Sequence, residues 1–270
     1  MRVPDLQAGY VDVVKKVWKI GEKCEPRGFP TREVTDAQII VDNPHVTLPT
    51  GVGRDINLGF AACEALQVTG GYSDPSQLTR LVPRVSYFMD GGIFHGAYGP
   101  RLRGQLPYVI KRLQEDRDTR RAVLTIWDPA RDLYEEGLRD YPCTMLLAFM
   151  IRKDKLRLSV TMRSNDVWWG LGYDAFVFST LQATVARMLD IEMDVYVHNA
   201  ISLHAYERDG NAIEQLHIPT SPGIHHNGLR DTKTAMLIGS YGRDATHLPL
   251  DESERWFLIH AHPLEKETER

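Results

Sequence analysis

The sequence predicts an α+β protein: a large mixed β-sheet packed with helices. Three observations carry this. Leu156, Leu158, Val160 and Met162 alternate with Arg157, Ser159, Thr161 and Arg163, which is the two-residue period of a strand with one apolar face. Val177, Leu181, Val185 and Met188 recur at helical spacing. The two kinds of segment follow one another without a regular βαβ rhythm, which disfavours a doubly wound sheet. The 270 residues suffice for one large domain over 1–270, and no repeat, low-complexity block or linker divides them.

Taken in order, Asp5 is set to cap a helix whose stripe is Tyr10, Val13, Val14, Val17 and Trp18, ending near Gly21. Pro26 and Pro30 bracket a loop holding Arg27. Residues 34–41 read as a strand. Residues 58–69 read as a buried helix stopped by Gly70 and Gly71. The glycine-rich stretch 91–103 reads as a loop. A helix over 106–116 leads into a strand over 122–127. Residues 145–151 are apolar throughout, as in a strand buried on both faces. A helix over 173–189 follows. Residues 195–206 alternate again, so Tyr196, His198, Ala200, Ser202, His204 and Tyr206 share a face. Past Pro219 the chain reads as loop-rich, with weak strand signals at 235–238 and 256–259. A charged tail from His262 is expected to fray.

Apolar residues make up 43% and charged residues 25%, an ordinary globular balance. A net charge of -4 gives no general attraction to nucleic acid or anionic membrane, so any anion site must come from clustered arginines. Three cysteines at unrelated spacings argue against a disulfide framework and fit a reducing cytoplasm. None has zinc-type spacing. No apolar run is long enough to span a membrane.

The chemistry concentrates between Tyr141 and Tyr206. Cys143 stands where a loop enters an apolar strand. Alone, such a cysteine is most simply packing. Arg163 lies on the polar side of the next strand, and a nucleophilic thiol needs such a cation. Cys63 sits in an alanine-rich helix and reads as structural. Arg163-Ser164 at a strand end suits phosphate oxygens, whereas the Arg120-Arg121 pair alone reads as a solvated face. Glu64 lies in an otherwise apolar helix, which is costly without a role. Asp174, by its position alone, reads as a helix cap before Ala175.

The order Pro-Cys, Arg-Ser-Asn-Asp (163–166), a glycine-broken turn to Asp174, then His204-Ala-Tyr206 resembles the thymidylate synthase family. The likeness is convincing over about 55–210. It implies a thiolate, here Cys143, that adds to C6 of a pyrimidine nucleotide and makes C5 nucleophilic toward 5,10-methylenetetrahydrofolate. Glu64 matches the glutamate that orders water at the base, and Tyr98 matches the tyrosine implicated in removing the C5 proton. Asp166, Trp169, Gly170 and Tyr173 match folate positions, with Asp166 also catalytic. Arg27, Arg163 and Ser164 would hold the phosphate from one chain. Arg120 and Arg121 would be lent by the second chain of a homodimer. His204 and Tyr206 match the pair that holds the sugar hydroxyl, although Ile201-Ser202-Leu203 replaces the family's usual Gly-Asp.

Three departures from the family shape the expected reaction. Asp174 stands where thymidylate synthases place asparagine. An amide suits uracil, whereas a carboxyl that accepts from the 4-amino group and donates to N3 suits cytosine. Residues 85–90 lack the family's tryptophans, and 264–270 are charged where the family has an apolar closing peptide. Water would then capture the C5 methylene. These features are similar to the deoxycytidylate and cytidylate 5-hydroxymethylases. Thr144 replaces a histidine of the proton-relay network. The competing readings are a cytidylate 5-methyltransferase, a diverged thymidylate synthase acting on dUMP, and a non-catalytic nucleotide or RNA binder. The binder does not explain the thiol. A cysteine hydrolase lacks a recognisable histidine motif.

Overall fold

The computed structural model describes residues 1–133 and 137–263. Its strands are β1 (Arg2–Val3), β2 (Glu22–Cys24), β3 (Thr31–Val41), β4 (Val46–Leu48), β5 (Val123–Thr125), β6 (Thr144–Arg152), β7 (Lys155–Met162), β8 (Asn165–Asp166), β9 (Glu192–Tyr206) and β10 (Ile224–His225). Its helices are α1 (Leu6–Ile20), α2 (Leu58–Gly70), α3 (Pro75–Leu81), α4 (Tyr98–Leu102), α5 (Leu106–Glu115), α6 (Pro129–Asp132), α7 (Leu171–Met188), α8 (Gly210–Glu214), α9 (Thr232–Tyr241) and α10 (Glu252–Ala261).

The main sheet runs β1-β3-β9-β7-β6-β5, with β2 beside β3 and β8 beside β9. The β7–β9 and β8–β9 pairs are parallel, while β3–β9 and β6–β7 are antiparallel. It is the mixed sheet of an α+β fold. β6 and β7 are joined by Lys153 and Asp154, both left-handed (φ 51° and 58°), as a tight hairpin turn demands. α7 packs on β7 and β9, and α2 packs on α7, α9 and α10.

Local chemistry sets the helix ends. The Ala8 amide donates to Asp5 Oδ1 at 2.7 Å, and the stripe from Tyr10 to Val17 is buried. The Phe60 amide donates to Asn57 Oδ1 at 2.9 Å to start α2, and left-handed Gly71 (φ 71°) ends it.

Several expectations are corrected. The stretch 91–103 is not all loop: Gly91 and Gly92 turn a small bridge between Asp90 and Ile93, and α4 follows. Gly99 lets α4 press against the carbonyls of Gln67 and Tyr72, where a Cβ would collide. β6 is not buried on both faces. Leu147, Phe149 and Ile151 are buried, while Leu146, Ala148 and Met150 on its other face are half-buried. The weak strands at 235–238 and 256–259 are helices α9 and α10. Asp231 caps the first and an Asp251–Glu254 capping box starts the second, and these local bonds outweigh the β-branched residues. The charged residues 264–270 lie outside the described residues. No helix among the described residues is long and apolar enough to cross a membrane.

Candidate active site

Cys143 precedes β6 and Arg163 follows β7. The antiparallel ladder pairs Thr144 with Met162, so the two residues meet at one end of the hairpin. The Arg163 amide donates to the Cys143 carbonyl at 2.8 Å. Its Nη2 lies 3.8 Å from Cys143 Sγ, and its guanidinium also donates to the carbonyls of Pro142 (3.0 Å) and Tyr141 (3.2 Å). Burial pushes the Cys143 thiol up, while the charges of Arg163 and Arg27 oppose that shift. Arg27 reaches this field from an exposed turn in which both it (φ 57°) and Gly28 (φ 77°) are left-handed. The neighbouring Arg32 is committed elsewhere: it pairs with Glu207 at 2.9 Å and lies over Trp18.

Cys143, Glu64 and Tyr98 line one cavity of about 210 Å³, together with Asp140 and the apolar Val85 and Phe88. Of residues 85–90, Val85 and Phe88 border the cavity, and neither is a tryptophan. Glu64 projects from α2, and burial, with the nearby Asp174 charge, pushes its carboxyl up to about 8. A carboxyl in this setting can hold or release a proton near neutrality. The Tyr98 hydroxyl accepts from the Thr144 amide at 3.4 Å, and its ring stacks on Phe178. Burial holds its phenol well above the ordinary value. The Thr144 hydroxyl is buried and has no partner among the described residues.

α7 begins beside this cavity, capped at Gly170, whose backbone carbonyl accepts from the Asp174 amide at 2.9 Å. Asp174 is therefore inside the first turn and is not the helix cap. Asn165 Nδ2 donates to its Oδ2 at 2.8 Å, and burial pushes its carboxyl up to about 7. Asp166 lies opposite His204 in the β8–β9 pairing. Its Oδ1 accepts from the amides of Trp168 (2.8 Å) and Trp169 (3.2 Å). Burial raises its carboxyl, against the pull of His204 and Arg54. The Tyr173 hydroxyl accepts from the Asn57 amide at 2.9 Å.

Arg54 was not foreseen from the sequence. It is buried, with its guanidinium carbon 5.3, 5.8 and 5.5 Å from the ring centroids of Trp168, Trp169 and Tyr173. Its Nη1 donates to Tyr10 at 2.8 Å, and its buried Nη2 has no partner among the described residues. Aromatic faces, the Asp166 carboxyl and an unpartnered cationic donor suit a flat, polar, anionic cofactor such as a folate.

His204 is buried and Tyr206 half-buried, with rings 5.3 Å apart edge to face. Ser202 sits 3.4 Å from His204 Nδ1 and bonds Glu33. Ser164 adjoins Arg163 and is half-buried. Arg120 and Arg121 are exposed before β5, and no side-chain partner is found for either among the described residues. They do not join the Cys143 cluster within one chain.

A family model described as thymidylate synthase matches residues 8–225. The chain is 35% identical over 220 residues to a deoxyuridylate hydroxymethyltransferase of Bacillus phage SP01, covering 75% of this chain and 57% of that protein. It is 42% identical over 171 residues to a deoxyuridylate hydroxymethyltransferase of Pseudomonas phage M6, covering 60% and 48%. It is 28% identical over 221 residues to a putative thymidylate synthase of Methanocaldococcus jannaschii, covering 80% and 94%. The chain spans about half the length of the phage relatives. Enzymes of this family are homodimeric one-carbon transferases that bind a nucleotide and use methylenetetrahydrofolate. The matched span, the mixed sheet and the thiol–arginine end of the β6–β7 hairpin together make this chain a member of the thymidylate synthase family.

Proposed function

We propose that this chain is a pyrimidine nucleotide C5 hydroxymethyltransferase acting on a cytosine monophosphate, dCMP or CMP. The observation that carries the base assignment is Asp174. It is a buried carboxyl inside the first turn of α7, relieved of any capping duty, with a proton available near neutrality. Such a group can donate to cytosine N3 and accept from the 4-amino group. The phage relatives named for deoxyuridylate favour uracil as the second reading.

In this reading Cys143 adds as thiolate to C6 of the base, with Arg163 beside its sulfur. Glu64 holds a proton at the base, and Tyr98, matched by the family likeness to the residue that takes the C5 proton, lines the same cavity as the thiol. Arg27, Arg163 and Ser164 bind the phosphate, while His204 and Tyr206 bind the sugar. Asp166, Trp169, Gly170 and Tyr173 hold the folate, which supplies the one-carbon unit. Unpartnered Arg120 and Arg121 suit donation to a second chain, and the half-buried face of Leu146, Ala148 and Met150 suits a sheet-to-sheet dimer contact. A cavity edge of Val85 and Phe88 in place of tryptophan supports water entry and a hydroxymethyl product.

The test is mass spectrometry of the product after incubation with methylenetetrahydrofolate and a mixture of dCMP, CMP and dUMP. A hydroxymethyl adduct on a cytosine nucleotide is expected, and its sugar identifies the substrate. An adduct on dUMP alone overturns the base assignment. A methyl adduct on cytosine overturns only the water-capture step.

A further inference from the structure

Asp174 is the end of a buried line of polar side chains. Tyr196 and His198 stand two residues apart on β9 and are fully buried, as is Asn165 on β8. The Tyr196 hydroxyl lies 2.8 Å from His198 Nδ1. His198 Nε2 lies 3.1 Å from Asn165 Oδ1. Asn165 Nδ2 lies 2.8 Å from Asp174 Oδ2.

Such a line can run in two directions, by turning the amide over and moving the imidazole hydrogen. In one, Tyr196 donates to Nδ1, Nε2–H donates to Asn165, and the amide donates to Asp174. In the other, Asp174 donates to the amide oxygen, and Nδ1–H donates to Tyr196. The phenol hydrogen then needs a different acceptor. Among the described residues His198 Nδ1 is the only partner of the Tyr196 hydroxyl, and a buried O–H without an acceptor is costly. Burial keeps the phenol protonated and His198 neutral, so each ring nitrogen has one role. The line therefore runs from Tyr196 toward Asp174.

The direction has a consequence at the base. Asp174 Oδ2 always receives a hydrogen bond, and a hydroxyl oxygen is a poorer acceptor than a carbonyl oxygen. A proton on this carboxyl therefore belongs on Oδ1. Cytosine and uracil each offer one donor and one acceptor along N3 and C4, in opposite order. A free carboxyl could move its proton between oxygens and match either base. A carboxyl with a fixed order can match only one. Gly170 guards the arrangement: a Cβ there would lie 2.9 Å from Asn165 Nδ2 and 3.1 Å from Asp174 Oδ2.

We infer that Tyr196, His198 and Asn165 are positioning residues that fix the donor–acceptor order of Asp174 and thereby its choice between cytosine and uracil nucleotides. This rests on Asp174 as the base reader. The test is calorimetric binding of dCMP and dUMP, and of CMP and UMP, to the wild-type protein and to Tyr196→Phe and Asn165→Ala, without folate. The ratio of dissociation constants for the two bases is expected to fall about tenfold or more in both variants, chiefly because the disfavoured base binds better. A merely structural role would weaken both nucleotides equally. An unchanged ratio in Tyr196→Phe, which loses one hydroxyl and little volume, overturns the inference. A wild-type preference for uracil overturns the cytosine reading, while the change in ratio still judges the relay. No wild-type preference overturns both.

Discussion

Arg163 holds Cys143 from two sides: its amide donates to the Cys143 carbonyl at 2.8 Å, and its Nη2 lies 3.8 Å from the sulfur. The same guanidinium is anchored on the carbonyls of Pro142 and Tyr141. Lysine could keep the charge but not the fork. Arg163→Lys is expected to lower kcat/KM about a hundredfold. Thiol alkylation at a given pH should slow in Arg163→Ala, which removes the charge that opposes the upward pull of burial on the thiol, and less so in Arg163→Lys, which keeps it. Cys143→Ser should abolish product formation, and full activity in that variant would remove the nucleophile.

Arg121→Ala should weaken nucleotide binding, while mixing it with Cys143→Ser should restore activity. In a mixed dimer one site pairs an intact thiol with an intact Arg121 from the other chain. Turnover measured after subunit exchange checks this, and no recovery counts against shared arginines.

Glu64 is held protonated up to about 8 by burial. Between the ordinary carboxyl range and that value, the unfolded chain has released a proton that the folded chain keeps. The folded state then binds more protons, so its stability falls as pH rises through this window. Asp174 adds to the slope up to about 7. Glu64→Gln should flatten the decline, gaining on the wild type at pH 8 and not at pH 4. Denaturant midpoints across that range measure it.

Asp132 is buried and takes both Arg101 nitrogens, at 2.7 and 2.8 Å, with His95 at 3.0 Å. Burial alone would raise its carboxyl, but these partners and the Asp128 amide bring it down to about 2. The cluster ties α4, which carries Tyr98, to α6. Asp132→Ala leaves a buried guanidinium unpaired and should cost about 3–5 kcal/mol by urea denaturation.

Gly170→Ala should separate Asn165 from Asp174 by a few tenths of an ångström at least. The expected outcome is weaker nucleotide binding with little change in melting temperature, read by calorimetry and thermal unfolding.

The sheet was legible because its strands alternate cleanly, as 156–163 and 195–206 show. So was the thiol–arginine pair, since two adjacent strand ends carry it. The C-terminal helices were not, because their apolar positions are few and their caps, Asp231 and Asp251, are single residues amid loops. Asn165 was hidden for another reason. Its partners Asp174 and His198 lie 9 and 33 residues away, and only the crossing of β8, β9 and α7 brings them together. Arg54 was hidden likewise, since nothing in Gly51-Val-Gly-Arg54 announces the aromatic rings that surround it. Tyr196 and His198 carried a readable signal: two polar residues on the inward period of a buried strand.

The β6–β7 hairpin has two unlike ends. One carries the thiol and its arginine, clamped by the ladder; the other is the exposed turn at Lys153 and Asp154. The strands between them are long enough to insulate one end from the other. The turn is thus the natural place to graft a foreign peptide, a fluorophore or a surface tether. A chain immobilised through it would present its Cys143–Arg163 end away from the support.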